Sequence, residues 1–180
     1  MKHRIAAFLI FLVMGSISVA FAASSPDNSP DSYEHLPDGK LVMGEKEWVR
    51  VDEINVVAKA RVDTGATTSS ISAIDIEEFE RDGEEWVRFR LAHDDKQTDL
   101  MEMPVIRTVR IIQSSAEGYD RRYVVEMPIT IGDVTETTEF TLRDRHHLNF
   151  PVLLGRTYLK DVAVVDVSRK YVQPKPEILE

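Results

Sequence analysis

From Trp48 to Leu142 the apolar residues fall mostly on alternate positions in a series of short runs, the period of half-buried strands and not of helices. Trp48, Val49 and Val51 open one strand, Asp52-Glu53 make a turn, and Ile54 to Asp63 return as the second arm of a hairpin. Val87, Phe89 and Leu91 alternate with Arg88 and Arg90. Further strands are expected at Val105 to Ile112, Tyr123 to Ile131 and Val134 to Leu142, the last two joined across Gly132-Asp133. A short helix is expected from Ser72-Ala73-Ile74-Asp75, which has capping-box spacing, to Phe79, closed by Arg81-Asp82-Gly83. A final strand at Val162 to Val167 is followed by Tyr171, Val172 and Pro174. Many short strands and little helix imply an all-β fold, with a closed or sandwiched antiparallel sheet.

One of these strands ends in chemistry. Ala58, Ala60 and Val62 share a face, Lys59 and Arg61 the other, and the run stops at Asp63-Thr64-Gly65-Ala66-Thr67-Thr68. Gly65 is expected to take a turn closed to residues with a Cβ and to admit a close neighbour. The hydroxyls of Thr64, Thr67 and Thr68 are candidates to fix the carboxylate. A plain polar turn is the alternative. Far downstream, Phe150 to Leu154 form an apolar strand that runs into Gly155, Arg156 and a short helical turn ending near Leu159.

Asp-Thr-Gly-Ala after an apolar strand, paired with Leu153-Leu154-Gly155-Arg156 and Leu159, resembles the signature of the retropepsin-like aspartic peptidases, over Lys59 to Leu159. Gln113-Ser114-Ser115 and Arg121-Arg122 extend the likeness to the bacterial group labelled ATP-dependent zinc proteases. The resemblance implies a retropepsin-like, closed antiparallel β-barrel with one or two short helices. It implies Asp63 as catalytic acid/base, Thr64 bracing the dyad and Gly65 permitting close approach. Ala66, Thr67, Ser114 and Ser115 would bind substrate, while Leu153, Leu154, Gly155 and Arg156 would support the acidic turn structurally. A flap over the cleft is expected, with Arg110 to Val124 the best stretch for it; an ordinary surface loop is the equal alternative.

Aspartic peptidases work with two carboxylates sharing a proton, because like charges about 3 Å apart cannot both ionise. This chain has a single Asp-Thr-Gly, and Asp166-Val167-Ser168 lacks the glycine for a second. A two-fold homodimer that places one Asp63 from each subunit at the axis supplies the pair. The substrate would be an extended peptide. A non-catalytic peptide- or protein-binding module and a zinc-dependent protease are the alternatives.

No His-Glu-x-x-His is present, and adjacent His146 and His147, or His93 with Asp94 and Asp95, are expected to be solvated loop residues with no metal. No phosphate-cradling Gly-x-x-x-x-Gly-Lys loop supports ATP, and no cofactor is expected. A formal charge of −9 without a basic stripe argues against nucleic acid.

Lys2 to Arg4, the apolar run Ile5 to Met14 and Ala20-Phe21-Ala22 have the form of a cleaved secretory signal over residues 1–22, with an uncleaved anchor as the alternative. A periplasmic location with no stable membrane insertion follows as the expectation. Residues 23–37, rich in Ser, Pro, Asp and Asn, are expected to be a disordered linker, 38–174 one domain and 175–180 a tail. There is no cysteine, so the core alone must hold the domain.

Overall fold

The computed structural model describes residues 32–112 and 119–179. The stretch read as a signal, the greater part of that read as a linker, and Ser114-Ser115 lie outside the described residues. The hairpin read from the sequence is formed by β2 (Lys46–Val51) and β3 (Val56–Val62), joined by a 3-10 turn at Asp52–Ile54. Their alternation is that of one wet and one dry face: Val49, Val51, Ala60 and Val62 are buried, while Lys59 and Arg61 are exposed.

A barrel closes around that dry face. Its strands run in the order β10 (Val134–Arg143), β9 (Tyr119–Ile131), β2, β3, β11 (Val152–Leu154) and β4 (Ser69–Arg81), and β4 pairs back onto β10. Closure leaves these strands no free edge. The fold is the all-β barrel expected, but two of its seams are parallel, β11 with β3 and β4 with β10. Phe140, Met127, Ile129, Ile131, Leu142, Ile71 and Leu154 fill the interior. Burying each such side chain is worth about 1.5–3 kcal/mol, and truncating Phe140 to Ala would cost about 3–5 kcal/mol.

The helix expected at Ser72 to Phe79 is instead the middle of β4. A helix there would strip β10, β11 and β5 (Glu84–His93) of a pairing partner, so tertiary pairing overrides the local capping signal. A bulge separates the strand into two roles. Asp75 takes a left-handed φ of 52° and the register shifts between Ile74 and Glu77. Before the bulge β4 belongs to the barrel; beyond it the strand leaves as an arm. Asp82 and Gly83, at φ 54° and 85°, form the tight hairpin turn to β5. The arm continues through β6 (Lys96–Gln97) and β7 (Met101–Pro104), both paired to β5.

In the stretch read as flap or surface loop, β8 (Arg107–Ile112) pairs with β9 in register Arg107 to Val124 through Ile112 to Tyr119, and residues 113–118 between them lie outside the described residues. Arg121 joins it to the arm through Glu78 and Glu85, at 2.7 and 2.8 Å. These exposed pairs are worth little individually.

After β11, helix α1 (Arg156–Val162) occupies the position read as a short helical turn. The last strand, β12 (Ala163–Val165), starts one residue later than expected because Val162 ends the helix, and it pairs in parallel with β1 (Leu41–Met43). Both flanks of the domain pack onto the barrel: Glu34 pairs with Arg169, His35 with Asp133, and Asn55 with the backbone of Leu179.

Candidate active site

β3 delivers Asp63 to the barrel end, and β11 fixes where it stops. β11 lies between β3 and β4, with Leu154 beside Val62 and Leu153 beside Ser70. The Asp63 N–H donates to the Leu154 carbonyl at 2.9 Å, which extends the β3–β11 ladder by one bond. The chain then turns. Asp63 Oδ1 accepts the backbone N–H of Gly65 at 3.0 Å and of Ala66 at 3.1 Å.

These two amides, rather than the threonine hydroxyls, fix the carboxylate. Charge-assisted bonds of this kind are stronger than neutral ones. Asp63 Oδ2 makes no hydrogen bond among the described residues, and the side chain is only partly buried. One oxygen is therefore held and the other is left for a reacting partner. The Thr64 hydroxyl also has no partner within one chain's described residues.

Gly65 differs in detail from its expected role. Its backbone is not left-handed, but a Cβ would lie 3.2 Å from Asp63 Oδ1, so the glycine provides clearance for the carboxylate. Gly155 is the tighter case, because a Cβ there would stand 2.6 Å from the carbonyl carbon and oxygen of Thr68. Its N–H donates to the buried Ser69 Oγ at 3.1 Å.

Arg156 fastens the turn from outside, as its structural assignment implies. Its guanidinium donates to the carbonyls of Thr64 at 3.2 Å and Gly65 at 2.7 Å and to Thr67 Oγ1 at 3.0 Å. Its N–H and that of Thr157 donate to Ala66 and Thr67 carbonyls, both at 3.0 Å. Ala66 and Thr67 thus sit beside Asp63, with Thr67 exposed. Leu154 is buried and Leu153 half-buried beneath.

The loop from Asp144 to Phe150 leads from β10 into the start of β11, at the opposite end of that strand from Asp63. His146 and His147 do not diverge as they would on an extended segment. The loop turns, closed by Leu148 N–H on the Arg145 carbonyl at 2.8 Å, and the two rings meet edge to face at 5.5 Å. With Asp144 they place ligand atoms within 4.8 Å of one another, all exposed, and Asp144 already accepts from His146. His93 is held apart from this group by the Leu148 carbonyl.

Sequence reasoning passed over two buried charges. Arg145 is buried, and burial, with the like charges of Arg143 and Arg122, pushes its pKa down. Glu47 is wholly buried and accepts the N–H groups of Gly44, Val172 and Gln173 at 2.6, 3.0 and 3.2 Å. Burial raises its pKa against the opposing pull of those amides. No sequence period marks Arg145, but Glu47 is in phase with Val49 and Val51 on the inward face of β2, which is a signal in itself.

A cleft of about 1010 Å³ lies on another face, between β3 and the β5–β6 turn, lined by Trp48, Lys59, His93, Phe150 and Tyr171; Asp63 is not among its walls.

A closed β-barrel that presents an Asp-Thr-Gly turn, backed by a Leu-Leu-Gly-Arg strand and helix, fits a retropepsin-like fold. The family model described as "RimB-like: Retropepsin-like aspartic endopeptidase RimB" matches residues 42–176, and the chain belongs to this family. It is 39% identical over 131 residues to a protein of Desulfotalea psychrophila named "Probable alpha-L-glutamate ligase", and 36% identical over 140 residues to one of the same name from Shewanella halifaxensis. These matches cover 71% and 76% of this chain but only 28% and 30% of the ligases. A crystal structure of a Legionella pneumophila protein of unknown function (DUF785) superimposes with a TM-score of 0.63 at 27% identity, over 72% of this chain and 95% of the other.

Proposed function

We propose that this protein is a periplasmic aspartic endopeptidase whose catalytic dyad forms from the Asp63 residues of two identical subunits. The observation that carries the reading is the half-fixed carboxylate. Asp63 Oδ1 is pinned by two turn amides and Oδ2 is unengaged, in a turn with one face open. Two such turns across a two-fold axis would share one proton. One carboxylate takes a proton from a water as its oxygen attacks the peptide carbonyl carbon, and the other gives its proton to the carbonyl oxygen. Collapse of the tetrahedral adduct breaks the C–N bond, and the leaving amine takes a proton.

Thr64, with its hydroxyl uncommitted inside one chain, is positioned to brace the partner turn. Ala66 and Thr67 border the Asp63 carboxylate, where an extended peptide would be held by main-chain hydrogen bonds. The sequence match to proteins named as glutamate ligases supports glutamate-containing polypeptides as the substrate class. The Met1 to Ala22 run supports secretion.

Cleavage of a diverse peptide library by residues 23–180, beside Asp63→Asn, tests the reading. The wild type is expected to cut and the folded variant to lose at least about a thousandfold, the scale of removing a catalytic group. No cutting by either would leave a peptide-binding module on the same fold as the better account, and equal cutting by both would remove Asp63 from the chemistry.

A further inference from the structure

Three ligand-type side chains meet on the loop between β10 and β11, and the Asp63 chemistry uses none of them. Asp144, His146 and His147 each bring a carboxylate oxygen or an imidazole nitrogen within 4.8 Å of the others, and all three are exposed. Arg145, which separates them in sequence, is buried instead.

The turn that gathers them is built into the backbone. The Leu148 N–H closes it on the Arg145 carbonyl at 2.8 Å, and the His146 N–H donates to Asp144 Oδ1 at 3.1 Å. From the other side the Asp94 N–H donates to the His146 carbonyl at 3.4 Å, and His93 Nε2 donates to the Leu148 carbonyl at 3.0 Å. These bonds tie the loop to the β5–β6 turn. The donor set is thus held by main chain, and only side-chain rotation is needed to close it.

The hydrogen bonds already present leave room for an ion. An ionised carboxylate only accepts, so His146 Nδ1 is the donor in its contact with Asp144. A cation can replace that proton, and the imidazole stays neutral by carrying its proton on Nε2. The His147 ring makes no hydrogen bond among the described residues. Two imidazoles with one carboxylate suit a transition-metal ion, whereas Mg2+ and Ca2+ take oxygen ligands. Zinc bonds to such donors at about 2.0–2.2 Å.

We propose that Asp144, His146 and His147 bind a divalent transition-metal ion of the zinc type, with its remaining coordination positions open. The loop enters β11 at the end opposite Asp63, so the ion takes no part in the carboxylate chemistry. The inference does not rest on the peptidase reading. His147 is also a wall of the large cleft, so the ion stands at its rim, where an open position can take an oxygen or nitrogen from a ligand in the cleft.

Zn2+ titration of the protein without a polyhistidine tag, in competition with a chromogenic chelator, tests the site, and Co2+ absorption reads the ligands spectroscopically. One ion per chain is expected, with excess Mg2+ or Ca2+ failing to displace it. His146→Ala, His147→Ala and Asp144→Asn are each expected to weaken binding by at least about 100-fold, the upper end of what even supporting partners contribute. Asp144→Asn keeps the shape of the side chain, and circular dichroism of each variant separates ligand loss from misfolding. His35→Ala, outside the group, should bind as the wild type does. No stoichiometric binding, or Zn2+ bound equally by wild type and the three variants, overturns the proposal. A loss confined to the histidine variants overturns it too, because Asp144 would then be no ligand.

Discussion

Two carboxylates stand on adjacent strands, and the same kind of donor treats them in opposite ways. Glu47 on β2 lies opposite Ala60, three residues before Asp63 on β3. Both accept backbone N–H groups. Glu47 collects them from three places, Gly44, Val172 and Gln173, spends both oxygens and is wholly buried. Asp63 collects them from its own turn, spends one oxygen and stays partly open. A carboxylate whose acceptors are all committed ties chain segments together; one whose acceptors are half committed is oriented and still reactive. The difference lies in which segments the fold brings near, since the two side chains differ by one methylene.

The comparison is broken most forcefully at Glu47. Glu47→Ala leaves three buried backbone donors unsatisfied where the β1–β2 corner meets the C-terminal segment. A loss of about 3–5 kcal/mol is expected in denaturant unfolding. A loss below about 1 kcal/mol, within the range of an ordinary surface change, would show that water replaces the carboxylate.

At the other carboxylate the equivalent break is Gly155→Ala, which drives a methyl into the Thr68 carbonyl. Overpacking of this kind costs about 1–3 kcal/mol. Because the displaced backbone is the Asp63 turn, activity is expected to fall by about a hundredfold at temperatures where the variant is fully folded. Unchanged kinetics in a folded variant would mean that the turn does not depend on this contact.

A subtler difference is in pH response. The Glu47 pKa is raised above its ordinary 4.5 in the native state. Below the ordinary value both native and unfolded chains are protonated, and the full contribution is present. As pH climbs toward the native value, the unfolded chain has already released its proton, so stability falls and then levels off. The wild-type curve minus that of Glu47→Gln should show this decline upward from about pH 4.5; a difference that rises over that interval would reverse the assignment. The smallest effect is expected at Tyr158, whose hydroxyl is buried without a partner among the described residues and whose pKa is pushed up by burial. Tyr158→Phe should be neutral or stabilising by up to about 1 kcal/mol, and a larger loss would reveal a partner for that hydroxyl.

The sequence made Asp63 and its backing strand visible for a local reason. Alternation in β3, an abrupt stop at an acid, and Leu-Leu-Gly-Arg are each written in a few consecutive residues. β4 was hidden because Ser72 and Asp75 satisfy a capping pattern, while the partners that make it a strand lie far away in β10 and β11. The better local clue was Asp82-Gly83, a strong hairpin signal, here taken as a helix end. Arg145 lies in a loop without a period, and Glu47 shares the inward phase of Val49 and Val51 without showing what it binds. Their importance comes from what surrounds them, Ser72 for one and the Val172-Gln173 backbone for the other, none of it adjacent in sequence.

The most direct test of the shared carboxylate is to hold wild-type protein constant and titrate in Asp63→Asn protein, reading peptide cleavage and association state together. If each dyad needs an Asp63 from both subunits, mixed dimers are inactive, and cleavage at constant wild type should fall in direct proportion to the wild-type fraction within dimers, while activity per dimer falls as its square. Activity that stays constant as the variant is added, or a wild-type monomer that cleaves at full specific rate, would contradict the account.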